Sequence, residues 1–78
     1  MNEEMERPPA MLLYAKDWEP ALELLTGEEL GEVLKALFRF LNTGEKTEFS
    51  DRAVYVFYEK MISSLERQIR RYGKERTA

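Results

Sequence analysis

The residue types that most often carry chemistry are few in this chain and unevenly spread. Cysteine and histidine are both absent, which removes disulfides, thiolate and imidazole catalysis and the usual ligands of structural zinc. Carboxylates are plentiful. Glu19, Glu23, Glu28, Glu29 and Glu32 lie close together, with Glu19/Glu23 and Glu28/Glu32 each one helical turn apart. Paired carboxylates can act as acid and base or hold magnesium. Nothing in the pattern marks these as buried or convergent, and helix N-terminal charges and solvated faces account for them. Ser63-Ser64 has no histidine to activate it. Gly27, Gly31, Gly44 and Gly73 are scattered, with no G-x-G or G-K-[ST] loop to cradle a phosphate. The expectation is a protein that is not an enzyme, with no catalytic residues, no metal and no cofactor.

Cations offer more. The stretch "ERQIRRYGKER" sets Arg67, Arg70, Arg71 and Lys74 along one side of a helix end, with Arg76 beyond, and such a cluster can neutralise several phosphates. Cations near a helix C-terminus are also favoured by the macrodipole. Tyr72 by itself is no platform for stacking bases, and no base-reading element is recognisable. The net charge of −3 hides an asymmetry: residues 1–51 hold five Lys/Arg against twelve Asp/Glu, and residues 52–78 hold seven against three. A chain so polarised can pair its own halves, pair with a second copy, or offer its basic end to a phosphate backbone.

The elements that must position these groups read as helices. Asp17 is the expected N-cap of a first helix over about Trp18 to Leu25, which puts Pro20 in the first turn, where its missing N–H breaks no bond. Trp18, Leu22 and Leu25 fall on one face at spacings of four and three. Thr26 and Glu29 fit the capping-box pattern for the next helix, with Leu25 and Leu30 at staple positions. Leu30, Val33, Leu34, Leu37, Phe38 and Leu41 keep amphipathic spacing for three turns, Ala36 and Phe40 widen the arc, and Asn42 and Gly44 supply the stop. Glu32, Lys35 and Arg39 form a solvated face. Before the first helix, "MLLYA" is short and apolar, and strand, arm and helix all remain open for Met11 to Ala15.

The segment "RAVYVFYEKMI" pulls two ways. Val54, Tyr55, Val56, Phe57 and Tyr58 all favour strands. Yet Ser50 is a good N-cap, Asp51 puts negative charge in the first turn, Phe49 and Val54 stand at staple positions, and no glycine or proline interrupts until Gly73. An uninterrupted pattern of that length exceeds any ordinary strand, so a long helix ending at "RRYG" is expected. Its apolar residues sort into two stripes. Val54, Phe57 and Met61 form a short one, stopped by Ser64 and Gln68, which suits the domain's own core. Tyr55, Tyr58, Ile62, Leu65, Ile69 and Tyr72 form a longer one. With only two short helices to cover it, this stripe is expected to be a seam for a second copy, a dimer first, or for a protein partner; the alternative is an entirely intramolecular core.

Length bounds the rest. Residues 1–10, charged and ending near Pro8-Pro9, read as a disordered tail, residues 11–72 as the helical domain, and residues 73–78 as a flexible basic tail. A folding unit of about 60 residues buries only about 60% of its unfolded surface, which favours oligomerisation as a helper. No apolar run approaches the ~20 residues of a membrane span, and the N-terminus is acidic where a signal peptide is basic; the expected location is the cytoplasm.

The order of these features resembles a known family. The aliphatic-Leu-Tyr start, the acidic-aromatic pair, "TGEELGEVLKALFRFLNTGE" and "AVYVFYEKMISSLERQIRRYGKER" look like a small uncharacterised domain of phages and prophages. That domain often stands at the N-terminus of replication-associated, initiator-like proteins. The likeness covers about Met11 to Arg76, and it implies a link to DNA replication without assigning site residues. The fold expected is all-α: three helices, two shorter and one long, with a short N-terminal arm. The expected function is a protein-interaction or oligomerisation module of phage type, the alternative a DNA-associated factor contacting the backbone through the basic end of the long helix.

Overall fold

A computed structural model describes residues 8–77 and contains three helices in the order α1 (Ala15–Leu24), α2 (Gly27–Thr43) and α3 (Arg52–Thr77). Among the described residues there is no strand, so the all-α architecture read from hydrophobic spacing holds. "AVYVFY" is helical. The N-terminal tail expected at residues 1–10 lies, for residues 1–7, outside the described residues.

The helix α1 starts earlier than Asp17 suggests. Tyr14 occupies the cap position in extended conformation, its carbonyl accepting from the N–H groups of Asp17 (2.9 Å) and Trp18 (3.2 Å). Asp17 therefore sits inside the first turn, where its charge suits the dipole without capping. Pro20 falls at the sixth helical position, which leaves the Lys16 carbonyl without the N–H that a non-proline residue would supply. Trp18 and Ala21 form the buried face and Leu22 is exposed, because moving one position along a helix turns a side chain by about 100°. Leu25 ends α1 with its N–H on the Ala21 carbonyl (2.8 Å), and Thr26 opens α2 immediately.

That second start follows the sequence closely. The Thr26 hydroxyl accepts from the Glu29 N–H (3.0 Å) while the Glu29 carboxylate accepts from the Thr26 N–H (2.9 Å), and Leu25 and Leu30 both pack on the core. On α2, Val33, Ala36, Leu37, Phe40 and Leu41 are buried, Leu30 and Leu34 half-buried, and Phe38, expected inside, is exposed. Ala36 and Phe40 thus define the face, not its margin. Glu32, Lys35 and Arg39 are exposed. The helix stops where Gly44 takes a left-handed φ of 83°, a conformation that costs any residue with a Cβ about 1–2 kcal/mol.

The cap of α3 is Asp51, not Ser50. Its carboxylate accepts from the Val54 N–H (3.1 Å) and its carbonyl from the Tyr55 N–H (2.9 Å). Phe49 then lies two residues before the cap, out of staple register with Val54, and packs edge-on against Tyr58 with ring centres 5.1 Å apart. Gly73 does not end the helix, which continues to Thr77. At 1.5 Å per residue, 26 residues give about 39 Å, and the molecule's longest dimension is 40 Å. The long helix is the spine of the molecule, with α2 packed along it and α1 against α2.

The two stripes expected on α3 are one arc. Val54, Tyr58, Met61, Ile62, Leu65 and Ile69 are all buried, and at 3.6 residues per turn they span about 100°, the width of an ordinary core-facing helix stripe. α2 covers most of this arc, and the arm covers one side of it. Met11 packs on the core, and residues Met11 to Tyr14 lie against Met61, Ser64, Leu65 and Gln68 of α3. Among the described residues no helix is long and apolar enough to cross a membrane.

Candidate nucleic-acid interface

The arm is held by one side chain. Gln68 accepts from the Leu12 N–H (2.8 Å) and donates to the Leu12 carbonyl (3.0 Å), so a single amide satisfies both polar groups of an extended residue as a neighbouring strand would. Ser64, one turn earlier, accepts from the same Gln68 amide (3.3 Å). These are the two polar residues that stop the short apolar stripe. Their meaning was legible in principle: polar side chains continuing a core-facing stripe mark a place where backbone, with its N–H and C=O groups, is the thing packed there.

The six residues expected to form a partner seam divide sharply. Tyr58, Ile62, Leu65 and Ile69 are between 0% and 7% exposed within the single chain, so they offer no surface to a partner. Tyr55 is exposed and Tyr72 half-buried, at opposite ends of the stripe. Tyr58 is the most enclosed: its hydroxyl accepts from the Thr47 N–H (3.0 Å), tying the α2–α3 connection to the core. The middle four residues of the expected seam are thus core, clustered with the buried face of α2, with Phe49 against Tyr58. The Tyr55 phenol is pushed above its ordinary value of 10.0, first by a hydrogen bond to Glu59 one turn along and then by that carboxylate's charge.

The four expected cations come together. Arg67, Arg70, Arg71 and Lys74 are exposed and line one open concavity of about 250 Å³. Helical phase explains this: Arg67, Arg70 and Lys74 fall on the back of α3, opposite the buried arc, and Arg71 turns toward the arm. Among the described residues no carboxylate lies within ion-pair distance of Arg67, Arg70 or Arg71, whereas Lys46 pairs with Glu66 at 3.6 Å. Two further concavities adjoin. One, about 190 Å³, is lined by Tyr14, Asp17, Ser64, Arg67, Gln68 and Arg71; the other, about 170 Å³, includes Leu12, Tyr14, Arg71 and Tyr72. Sequence reasoning missed Tyr14, since its nearness to Arg71 depends on an arm whose path it left open. Among the described residues no group of three or more carboxylates is placed to hold a metal ion.

Arm, three helices and a basic helix end together make a small all-α domain. Residues 11–78 match a family of unknown function, DUF6291, and the chain belongs to it. No curated protein and no solved structure matches the chain.

Proposed function

We propose that this chain is a non-catalytic module of phage type that works beside DNA replication by holding a nucleic-acid backbone on the basic end of α3. One observation carries the reading: Arg67, Arg70, Arg71 and Lys74 share a single open concavity, where cations act on one phosphate track together. The C-terminal third supplies this positive field although the whole chain is acidic, so attraction is local to the α3 end. The replication setting is part of this proposal and rests on the sequence resemblance to phage and prophage domains alone; a cytoplasmic location is proposed with it. Affinity for duplex DNA should fall with salt at a log–log slope of about −3.6 when four phosphates are engaged, and each Arg→Gln substitution should remove about 0.9 from it. Fluorescence anisotropy across a salt series measures both. No binding at low salt, or a slope that Arg67→Gln, Arg70→Gln and Arg71→Gln leave unchanged, refutes the reading.

A second reading, a protein-interaction module that forms a homo-oligomer, rests on different residues from the expected seam. Leu22, Leu24, Phe38 and Val56 are each at least half exposed, and a second copy covering them would take that apolar surface out of water. Light scattering over a concentration series tests it; a monomer throughout, unaltered by Val56→Glu, removes it.

A further inference from the structure

Tyr14 is a ring held ready beside the cations. It is 47% exposed, and its position is fixed from both sides. Two residues upstream, Leu12 is clasped by Gln68; downstream, its own carbonyl anchors the first turn of α1. Arg71 lines all three adjoining concavities, and Arg67 lines the one with Tyr14 and the one with Arg70 and Lys74. Ring, guanidinium and cation row are therefore continuous.

We infer that this strip takes single-stranded nucleic acid, one base stacking on Tyr14 while the neighbouring phosphates lie along Arg67, Arg70, Arg71 and Lys74. The inference rests on the backbone-binding reading and narrows its ligand from any phosphate track to an unpaired strand. In a duplex the base faces are already stacked on one another, and an exposed protein ring gains nothing from them; an open strand has a free face on every base. Asp17 gives the strip a direction. Its carboxylate lines the Tyr14 concavity, where it repels phosphate and can accept from the exocyclic amine of a base, so base goes to the arm side and backbone to the Arg70–Lys74 side. Ser64 lines the same concavity, a hydroxyl able to donate or accept at a base edge.

The test is fluorescence anisotropy with a labelled oligodeoxycytidylate of about 12 nucleotides, whose bases carry an exocyclic amine, the matching duplex, and heparin as a polyanion without bases. The wild-type chain should bind the strand more tightly than the duplex or heparin at equal salt. Tyr14→Leu, which keeps apolar bulk but has no ring face, should weaken strand binding about 5- to 150-fold and leave the other two unchanged; Tyr14→Phe should retain affinity. Circular dichroism verifies that both variants are folded, and Tyr14→Ser replaces Tyr14→Leu if it is not. Strand affinity unchanged by loss of the ring, or duplex or heparin bound as tightly as the strand, overturns the single-strand assignment and leaves backbone binding standing. No binding of any of the three at low salt overturns both.

Discussion

Tyr58 separates a residue of the core from a residue of a seam. Its side chain is fully enclosed, its ring meets Phe49 edge-on, and its hydroxyl receives the Thr47 N–H at 3.0 Å. Tyr58→Phe removes only the acceptor, leaving a partly buried N–H unpaired, a cost of about 1 kcal/mol. Tyr58→Ala removes the ring too, and truncating a buried aromatic costs about 3–5 kcal/mol. A domain of this size has roughly 4–10 kcal/mol in total, so the alanine variant should be marginal or unfolded while the phenylalanine variant remains folded. Urea unfolding followed by circular dichroism reads both. With a slope near 1 kcal/mol per molar for so small a chain, Tyr58→Phe should lower the midpoint by about 1 M. Run at two protein concentrations, the experiment also asks where the ring lies. A core residue shifts the midpoint equally at both; a seam residue makes the wild-type midpoint depend on concentration and leaves the monomer's own stability intact. A Tyr58→Ala chain that is folded, monomeric and within about 0.3 M of the wild-type midpoint would refute the core assignment.

Three further outcomes follow from local geometry. Gln68→Met keeps length but removes both bonds to Leu12, and should cost about 1 kcal/mol, given their exposure, while hydrogen exchange at the Leu12 amide speeds up relative to amides of α2. Asp51→Ala should destabilise by about 1 kcal/mol and Ser50→Ala by less than half of that, since Asp51 is the residue that caps α3; chemical denaturation of the pair decides between the two caps. Glu59→Gln should bring the Tyr55 phenol back down toward 10.0 in an ultraviolet titration. Because the raised value favours the protonated phenol, whatever that pairing adds to stability is present below pH 10.0 and is lost as the pH rises through the folded-state value.

Helix identity was legible wherever a local signal stood alone. The Thr26–Glu29 box, the Gly44 stop and the length of the 52–77 pattern each depend on residues within a turn or two of one another, and each reads the same in sequence and in three dimensions. The cap positions were legible only to within a few residues. Asp17 and Ser50 are good capping types, but which candidate caps depends on where the backbone turns, and at α1 a residue with no capping side chain, Tyr14, holds the position because its carbonyl is well placed.

The larger misreading concerned cover. Counting helix lengths alone, the stripe from Tyr58 to Ile69 looks longer than α1 and α2 can bury, and a partner is the natural inference. In the folded chain that stripe clusters with the buried face of α2 and with Phe49, while the arm covers the neighbouring side of the arc at Met61 and Leu65. An extended segment covers more length per residue than a helix, about 3.3 Å against 1.5 Å, so the four residues Met11 to Tyr14 reach along α3 for about two of its turns. What an extended segment needs in return is a partner for its backbone, and α3 supplies one in Gln68. Gln68, read with Ser64 as the end of an apolar stripe, continues the packing face with the Leu12 backbone as its partner, and Ser64 accepts from the Gln68 amide. The consequence for function is direct: the arm that closes the core also sets Tyr14 beside Arg67 and Arg71. A single pair of hydrogen bonds thereby links the domain's stability to the composition of its basic end. Gln68→Met should accordingly weaken strand binding without touching any cation, and in the same direction as Tyr14→Leu.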